Sequence, residues 1–234
     1  MSEHILKQFD TDLESIRTGV MQMGGLVEQQ IVKAMEGLAD GDLLLIDQTI
    51  ANDDRVNRFE VELDEACTNI IARRQPAASD LRMVMMVVKT ITDLERIGDE
   101  AKKIAKKARS IHGAETRFAP SIELRNVAGL AIAMLRQALD AFARIDLNAA
   151  AQVVRQDAEV DTEFKGIMRQ LITFMMEDPR TITGSLDLLF IAKSIERIGD
   201  HAKNISEYVV YMANGRDVRH ISLEEIEREV AGNG

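Results

Sequence analysis

The sequence predicts an all-α protein built as two tandem three-helix bundles, and three observations support this prediction. Of its 234 residues, 46% are apolar but only 4% are aromatic, and there are three prolines. Apolar residues recur at steps of three and four through most of the chain, which is the spacing of one helix face. A motif of the first half also returns in the second half. We therefore expect six long helices related by an internal pseudo-two-fold repeat.

Proline, glycine and aspartate residues interrupt the periodic segments and mark where helices end. The breaks fall near Gly41, Pro76, Pro120, Asp146 and Pro179. The expected helices span residues 3–40, 43–74, 80–111, 121–144, 148–177 and 183–213. Several exceed thirty residues, a length that suits an elongated bundle.

The repeat is read most clearly in two six-residue segments. Leu-Glu-Arg-Ile-Gly-Asp ends at Asp99, and Ile-Glu-Arg-Ile-Gly-Asp ends at Asp200, an offset of 101 residues. Prolines and second-helix aspartates repeat at nearly the same offset, so order and spacing agree. We expect a first repeat over residues 1–115, a second over 119–215 and a tail over 216–234. Ser222 and Glu225 form a capping-box pattern that predicts a short helix in this tail.

Charge and composition exclude several classes of protein. The net charge of −10 disfavours binding to nucleic acid, which needs a basic face. The amino terminus lacks the basic start and apolar stretch of an export signal, and no apolar run is long enough to span a membrane. We expect a cytoplasmic protein. Cys67 is the only cysteine, so we expect a reduced, half-buried thiol without a disulfide or zinc site.

Acidic pairs in the third helix of each repeat are the main candidate site. Glu95 and Asp99, like Glu196 and Asp200, are four residues apart and share one helical face. Because this face lies nearly opposite the apolar stripe, the acids should face solvent or another element. Like charges at this spacing repel each other, which favours a compensating cation.

The second helix of each repeat adds a further pair of oxygen ligands. Asp53 lies four residues before Asn57, and Asp157 lies four residues before Asp161. Antiparallel packing of the second and third helices would bring the pairs together. Oxygen ligands without His or Cys suit a hard cation such as Mg²⁺, Mn²⁺ or iron. The predicted metal ligands are Asp53, Glu95, Asp99, Asp157, Asp161, Glu196 and Asp200.

An alternative interpretation is a solvated acidic face with local ion pairs. Lys103 and Lys165 each follow an aspartate by four residues and could neutralise it. Gly98 and Gly199 lie between the acids in mid-helix, where glycine costs about 1 kcal/mol relative to alanine. Their repetition indicates a use, either close helix packing or room for a ligand.

The sequence contains no recognisable catalytic motif. The four histidines are scattered, and His201 follows Glu196 by five residues rather than three, so the ligand motif of di-iron bundles is missing. No Gly-rich phosphate loop and no local signature of a nucleophilic site is present. We therefore expect a protein without enzymatic activity.

The repeated motif, the segment around Pro76 and the segment around Pro179 together resemble the PhoU family. The match in order, spacing and length extends across nearly the whole chain. This resemblance implies a pair of three-helix bundles, commonly dimeric, that can carry metal clusters at acidic motifs. The metal would be divalent or trivalent, such as Fe, Mn, Mg or Zn. Asn57 departs from the acidic pattern, so metal binding is expected to be weaker in the first half.

The resemblance also implies a function. Members of this family are cytoplasmic negative regulators of phosphate uptake and of the phosphate-starvation response. They act as adaptors between the phosphate ABC transporter ATPase and its sensor histidine kinase, and they reach the membrane only through these partners. A metal-dependent carboxylate-cluster enzyme or a metal-storage protein is the alternative function for the same acids.

Overall fold

The computed structural model describes residues 2–113, 119–219, 221 and 223–231, which form helices and no strand. The seven α-helices are α1 (Ser2–Asp40), α2 (Leu43–Arg74), α3 (Ala78–His112), α4 (Arg125–Arg144), α5 (Leu147–Glu177), α6 (Ile182–Asn214) and α7 (Leu223–Ala231). A short 3₁₀ turn, Pro179–Thr181, precedes α6. The predicted all-α fold with six long helices is confirmed. The tail helix is also present, although Ser222 lies outside the described residues.

Equivalent aspartates begin the second helix of each half. Asp42 Oδ1 accepts hydrogen bonds from the backbone N–H groups of Leu44 and Leu45 at 3.0 Å. Asp146 Oδ1 accepts one from the N–H of Ala149 at 3.0 Å. These side chains satisfy amide groups that have no partner inside the helix. The breaks predicted before α2 and α5 therefore have a local physical cause.

The fourth helix begins later than predicted. Residues 121–124 are not helical, and α4 starts at Arg125, whose N–H donates to Glu123 Oε1 at 2.7 Å. Leu124 is buried and Ile122 packs against the core. Apolar contacts at a spacing of two residues suit an extended segment rather than a helix, so the helix begins only after Leu124.

The six long helices form two units that share one core. Helices α1, α2 and α3 pack together, as do α4, α5 and α6, and α3 packs against α6 to join the units. Helix α1 also contacts α4. The buried apolar side chains form one cluster that extends through both units. The contact between α3 and α6 therefore belongs to the hydrophobic core. Among the described residues, no helix has an apolar stretch of the length needed to span a membrane.

The mid-helix glycines lie where three helices of one unit meet. A Cβ on Gly98 would lie 3.3 Å from Val56 of α2 and 3.4 Å from Gln30 Oε1 of α1. A Cβ on Gly199 would lie 3.5 Å from Val160 of α5 and 3.7 Å from a methionine sulfur of α4. The two halves thus repeat the same three-helix contact. At Gly98 this contact is tight, which favours close helix packing as the use of the glycine.

Leu94 and Ile195 occupy equivalent positions and are both 0% exposed. Replacing either with alanine should lower the free energy of unfolding by about 2–5 kcal/mol, because each change leaves a cavity in the shared core. Urea denaturation measures this loss. Ile172→Ala is the control, since Ile172 is 47% exposed and its replacement should cost less than about 1 kcal/mol. Losses as small as the control's at both core positions would contradict the duplicated core.

Candidate functional site: two carboxylate clusters

The predicted acids of the first half come together between α2 and α3. Asp53 is 1% exposed, and Glu95 and Asp99 are half-buried. Lys102 Nζ donates to Asp53 Oδ2 at 2.6 Å, and Asn57 Nδ2 donates to the same oxygen at 3.4 Å. The acids were predicted to face either solvent or another element, and in the structure they face a neighbouring helix.

Two buried oxygens of this first cluster have no hydrogen-bond partner in the described part of the chain. They are Asp53 Oδ1 and Asn57 Oδ1. A buried acceptor without a partner costs about 1–3 kcal/mol. A carboxylate oxygen and an amide oxygen are both ligands that hard cations accept. The pair therefore supplies donor atoms of the predicted kind.

Glu60 was missed by the sequence analysis but belongs to the first cluster. Burial raises the pKa of Glu95, and the negative charges of Asp99, Glu60 and Asp53 raise it further. Glu60 lies seven residues after Asp53, two turns along the same face of α2. That spacing was the available signal. A comparison of the two repeats did not identify Glu60, because the equivalent residue in the second half is Phe164.

The second cluster joins Asp157 and Asp161 of α5 with Glu196 and Asp200 of α6. Glu196 is 9% exposed, and the other three acids are half-buried. Burial is the largest cause that raises the pKa of Asp200 to about 6, and the charges of Glu196, Asp157 and Asp161 raise it as well. The four acids predicted for this half are therefore close enough to repel one another.

Lysines stand beside both clusters at duplicated positions. Lys102 contacts Asp53 at 2.6 Å, and Lys203 Nζ contacts Asp157 Oδ2 at 2.8 Å. The second cluster has an additional cation, since Lys193 Nζ donates to Glu196 Oε1 at 2.6 Å. Each lysine reduces the repulsion among the acids, which the sequence had been expected to relieve with a metal ion.

The local ion pairs of the alternative interpretation are present only in part. Lys165 Nζ lies 3.9 Å from Asp161 Oδ2, as that interpretation predicts. Lys103 instead contacts Glu100, at 2.9 Å, rather than Asp99. Because the clusters are half-buried between helices, a solvated acidic face does not describe them.

The donor chemistry of the clusters fits a hard cation, but their geometry is not that of a closed metal site. In the chain as described, no group of three or more His, Cys, Asp or Glu side chains is placed to hold a metal ion. Lys102 and Lys203 already contact the oxygens that a metal would use. Metal binding by the seven predicted residues therefore stays a prediction.

A buried polar group between α3 and α6 was not predicted. Asp93 is 3% exposed, and its Oδ1 lies 2.7 Å from His201 Nδ1. Tyr208 Oη donates to Asp93 Oδ2 at 2.7 Å, and Asn204 Nδ2 donates to Oδ1 at 3.2 Å. The partners come from opposite units, so no pattern within one helix could reveal them.

Cys67 is fully buried, rather than half-buried as predicted. Burial raises the pKa of its thiol to about 12, and the charge of Asp64 adds to this effect. Because the thiolate is the reactive form, burial disfavours reaction of this thiol at neutral pH. Its role is packing in the first unit.

The family model of the PhoU domain matches the chain twice, over residues 20–108 and 124–209. Each match covers parts of the three helices of one unit and includes its carboxylate cluster. The duplicated fold and clusters therefore define a protein of two tandem PhoU domains.

Known proteins resemble the chain over nearly its full length. It is 48% identical to the phosphate-specific transport system accessory protein PhoU of Escherichia coli over 99% of this chain and 96% of that protein. It is 46% identical to the PhoU homolog of Pseudomonas aeruginosa over 100% of this chain and 96% of that protein. The chain belongs to the PhoU family.

Solved structures of this family have the same fold. The crystal structure of PhoU from Pseudomonas aeruginosa superposes with a TM-score of 0.85 at 44% identity, covering 89% of this chain and 100% of that one. The phosphate transport system regulatory protein PhoU of Streptococcus pneumoniae superposes with a TM-score of 0.83 at 28% identity, covering 90% of this chain and 99% of that one.

Asp200 should make the stability of the protein depend on pH. Its pKa is raised to about 6, above the usual value of about 4 in an unfolded chain. Between these values Asp200 binds more protons in the folded state than in the unfolded state, so its contribution to stability should fall as pH rises from about 4 to 6 and then level off. Because the group is partly solvated, we expect a loss of about 1 kcal/mol.

Asp200→Asn should remove this part of the pH dependence, as measured by urea denaturation of metal-free protein from pH 4 to pH 8. Asp140→Asn, which removes an exposed aspartate of α4 outside both clusters, is the control and should leave the pH profile unchanged. A parent and an Asp200→Asn variant with the same pH profile would contradict the assignment.

Proposed function

We propose that this protein is a non-enzymatic negative regulator of phosphate uptake and of the phosphate-starvation response. It would act in the cytoplasm as an adaptor between a phosphate ABC transporter ATPase and a sensor histidine kinase. The observation that carries this proposal is the similarity over nearly the full length to relatives named as accessory proteins of phosphate-specific transport. The bundle has no recognisable catalytic motif, which also favours an adaptor.

The surface supports docking of partners at two related places. Exposed apolar side chains flank the turn between the second and third helices of each unit, and contiguous exposed apolar residues mark interaction surfaces. In the first unit they are Ile71, Leu81 and Met85, and in the second unit they are Ile172, Ile182 and Leu186. Leu81 and Met85 are equivalent to Ile182 and Leu186 in the repeat, whereas the equivalent of Ile71 is Met175. A duplicated apolar surface can engage two protein surfaces at once, or both copies of a symmetric partner. The family resemblance further suggests a homodimer.

The adaptor proposal is tested by deletion and by partner capture. Deleting the gene should leave phosphate-starvation genes expressed in ample phosphate, and tagged protein should recover transporter and kinase subunits. Ile182→Glu with Leu186→Glu should abolish recovery of at least one partner without lowering the melting temperature, because both residues are about 40% exposed.

Leu44→Glu is the matched control. Leu44 is 76% exposed, but it lies at the amino-terminal end of α2, opposite the turn between α2 and α3. This variant should recover both partners. Normal phosphate regulation in the deletion strain, together with recovery of neither partner, would refute the adaptor function.

A second candidate is a metal-dependent enzyme or a metal-storage protein that uses the carboxylate clusters. Buried oxygens without partners and acids with raised pKa values support this candidate. A bound hard cation would neutralise the clustered charge. Turnover of a phosphate ester, or of Fe(II) and oxygen, that is lost in Glu196→Gln would favour the enzyme over the adaptor.

Metal binding is tested apart from any activity by thermal unfolding. Added Mn²⁺ or Fe should raise the melting temperature, because a ligand that binds only the folded state stabilises it. Glu196→Gln with Asp200→Asn should remove the share of the second cluster, and Glu95→Gln with Asp99→Asn the share of the first. All four changes together should abolish the effect. A metal-induced shift equal to that of the parent in the fourfold variant would exclude these acids as ligands.

A further inference from the structure

A cavity of about 370 Å³ lies between the start of α3, the carboxyl-terminal part of α6 and the segment that follows α6. Its size is within the range of small-molecule sites. Residues that line it include Arg82, Met85, Lys89, Tyr208, Tyr211 and Arg219. The cavity therefore combines cationic groups with apolar and aromatic walls.

Two of these cations are not held by a carboxylate at ion-pair distance in the described part of the chain. Arg82 is half-buried, its Nε is buried without a hydrogen bond, and its guanidinium lies beside the backbone of Gly215. The Nζ of Lys89 lies 5.5 Å above the ring of Tyr208. Within the described residues, neither side chain makes a hydrogen bond or an ion pair. Arg82 and Lys89 are seven residues apart, so they share one face of α3.

The nearby acids neutralise this pair only in part, although the charge of Lys89 contributes to lowering the pKa of Asp217. Asp217 is held by Arg219, whose Nε donates to both carboxylate oxygens at 2.9 and 3.1 Å. Glu207 is 8% exposed, and burial raises its pKa to about 7. Near neutral pH its carboxyl is therefore partly protonated. The positive charges of Arg82, Lys89 and Arg219 therefore exceed the negative charges of the two acids that line the cavity, in a chain whose net charge is −10.

Comparison of the two repeats shows that this excess of positive charge occurs on one side of the molecule and not at the equivalent position on the other. At the equivalent place, Lys107 lies 4.8 Å from the ring of Phe190 and also contacts Asp187 at 3.0 Å. The residue equivalent to Asp187 in the cavity is Met86. The carboxylate that pairs with the cation on one side of the protein is thus absent on the other.

The start of α3 adds further positive potential. Ala77 is the residue before the helix and cannot cap it with a side chain, and Ala78 lines the cavity. Amide groups of the first turn that have no cap give a helix start a partial positive charge. Asp80 in the same turn offsets part of this charge, so the two side chains supply most of the attraction for an anion in the cavity.

We propose that this cavity binds a phosphate dianion, either inorganic phosphate or the phosphate group of a small phosphomonoester, with Arg82 and Lys89 as its cationic ligands. A dianion can accept hydrogen bonds from both cations, and the planar guanidinium offers two parallel donors to a phosphate. The proposal rests on side chains of the cavity rather than on the adaptor function. Absence of binding would leave the deletion and capture experiments unaffected.

Tyrosine fluorescence offers a local measurement. The chain has two tyrosines and no tryptophan, and both tyrosines line the cavity. Titration of the full metal-free chain with inorganic phosphate, and separately with glucose 6-phosphate, should change this fluorescence until it saturates. Binding of both probes would indicate that the phosphate group suffices, and binding of glucose 6-phosphate alone would identify a phosphomonoester. Saturation with neither at ten millimolar would overturn the proposal.

Variants distinguish specific binding of phosphate in the cavity from general electrostatic attraction of phosphate to the protein. Arg82→Gln with Lys89→Gln should weaken binding at least tenfold, because charged hydrogen bonds are lost. Arg82→Lys keeps the charge and should retain part of the affinity. Arg73→Gln with Lys106→Gln removes the same charge from exposed positions and should change binding less than twofold. Equal weakening in the control, or parental affinity in Arg82→Gln with Lys89→Gln that melts like the parent, would refute the proposal.

Discussion

The contact between α3 and α6 is the constraint on which the rest of the structure depends. Each of these helices is the third of its unit, and each already packs against the other two helices of that unit. When α3 and α6 also pack together, little of either surface is left for solvent. Polar side chains on their faces must then find partners inside the protein, since buried groups without partners are costly.

The acidic residues of α3 illustrate this requirement. Asp93 faces α6 and is bound by His201 and Tyr208. Glu100 also faces α6, is 3% exposed, and lies 3.3 Å from Arg197. Glu95 and Asp99 face α2 instead and form a carboxylate cluster. One helix thus directs two sets of acids to two neighbours.

The polar pairs between the units also select how the units fit together. By the repeat, His201 is equivalent to Glu100, and Asp93 is equivalent to Ser194. The pair of Asp93 with His201 therefore has no copy across the pseudo-two-fold axis. Apolar residues alone would tolerate a shift of α3 along α6. A buried acid that needs particular partners does not, because a shift would leave it unpaired.

The parts of the structure that the sequence predicted are local or duplicated. Helix spacing identified the six helices, and the repeated motif brought Glu95 and Asp99 into correspondence with Glu196 and Asp200. Features that depend on which helices become neighbours were missed. Lys102 and His201 carry no local pattern, since their partners lie 49 and 108 residues away. Glu60 was missed because its equivalent is Phe164, which breaks the repeat.

Differences between the two halves carry information that the repeat itself does not. Each cluster has four acids, three of them at equivalent positions, and one lysine at an equivalent position, Lys102 or Lys203. The first cluster keeps Glu60, whereas the second replaces it with Phe164 and gains Lys193, whose Nζ lies 5.4 Å from that ring. The expected order of metal affinity counted only the predicted acids, and Glu60 removes that difference in count.

The lysines also change what metal binding requires. Any cation that enters a cluster must displace an ammonium group, or share oxygens with it, because Lys102 and Lys203 contact the aspartates at hydrogen-bond distance. The binding energy of such a cation would therefore be reduced by the loss of this ion pair. The lysine keeps the metal-free fold stable, since it offsets part of the repulsion among four carboxylates. Such a cluster is partly neutralised without a metal ion, because a lysine of the chain already contacts its aspartate.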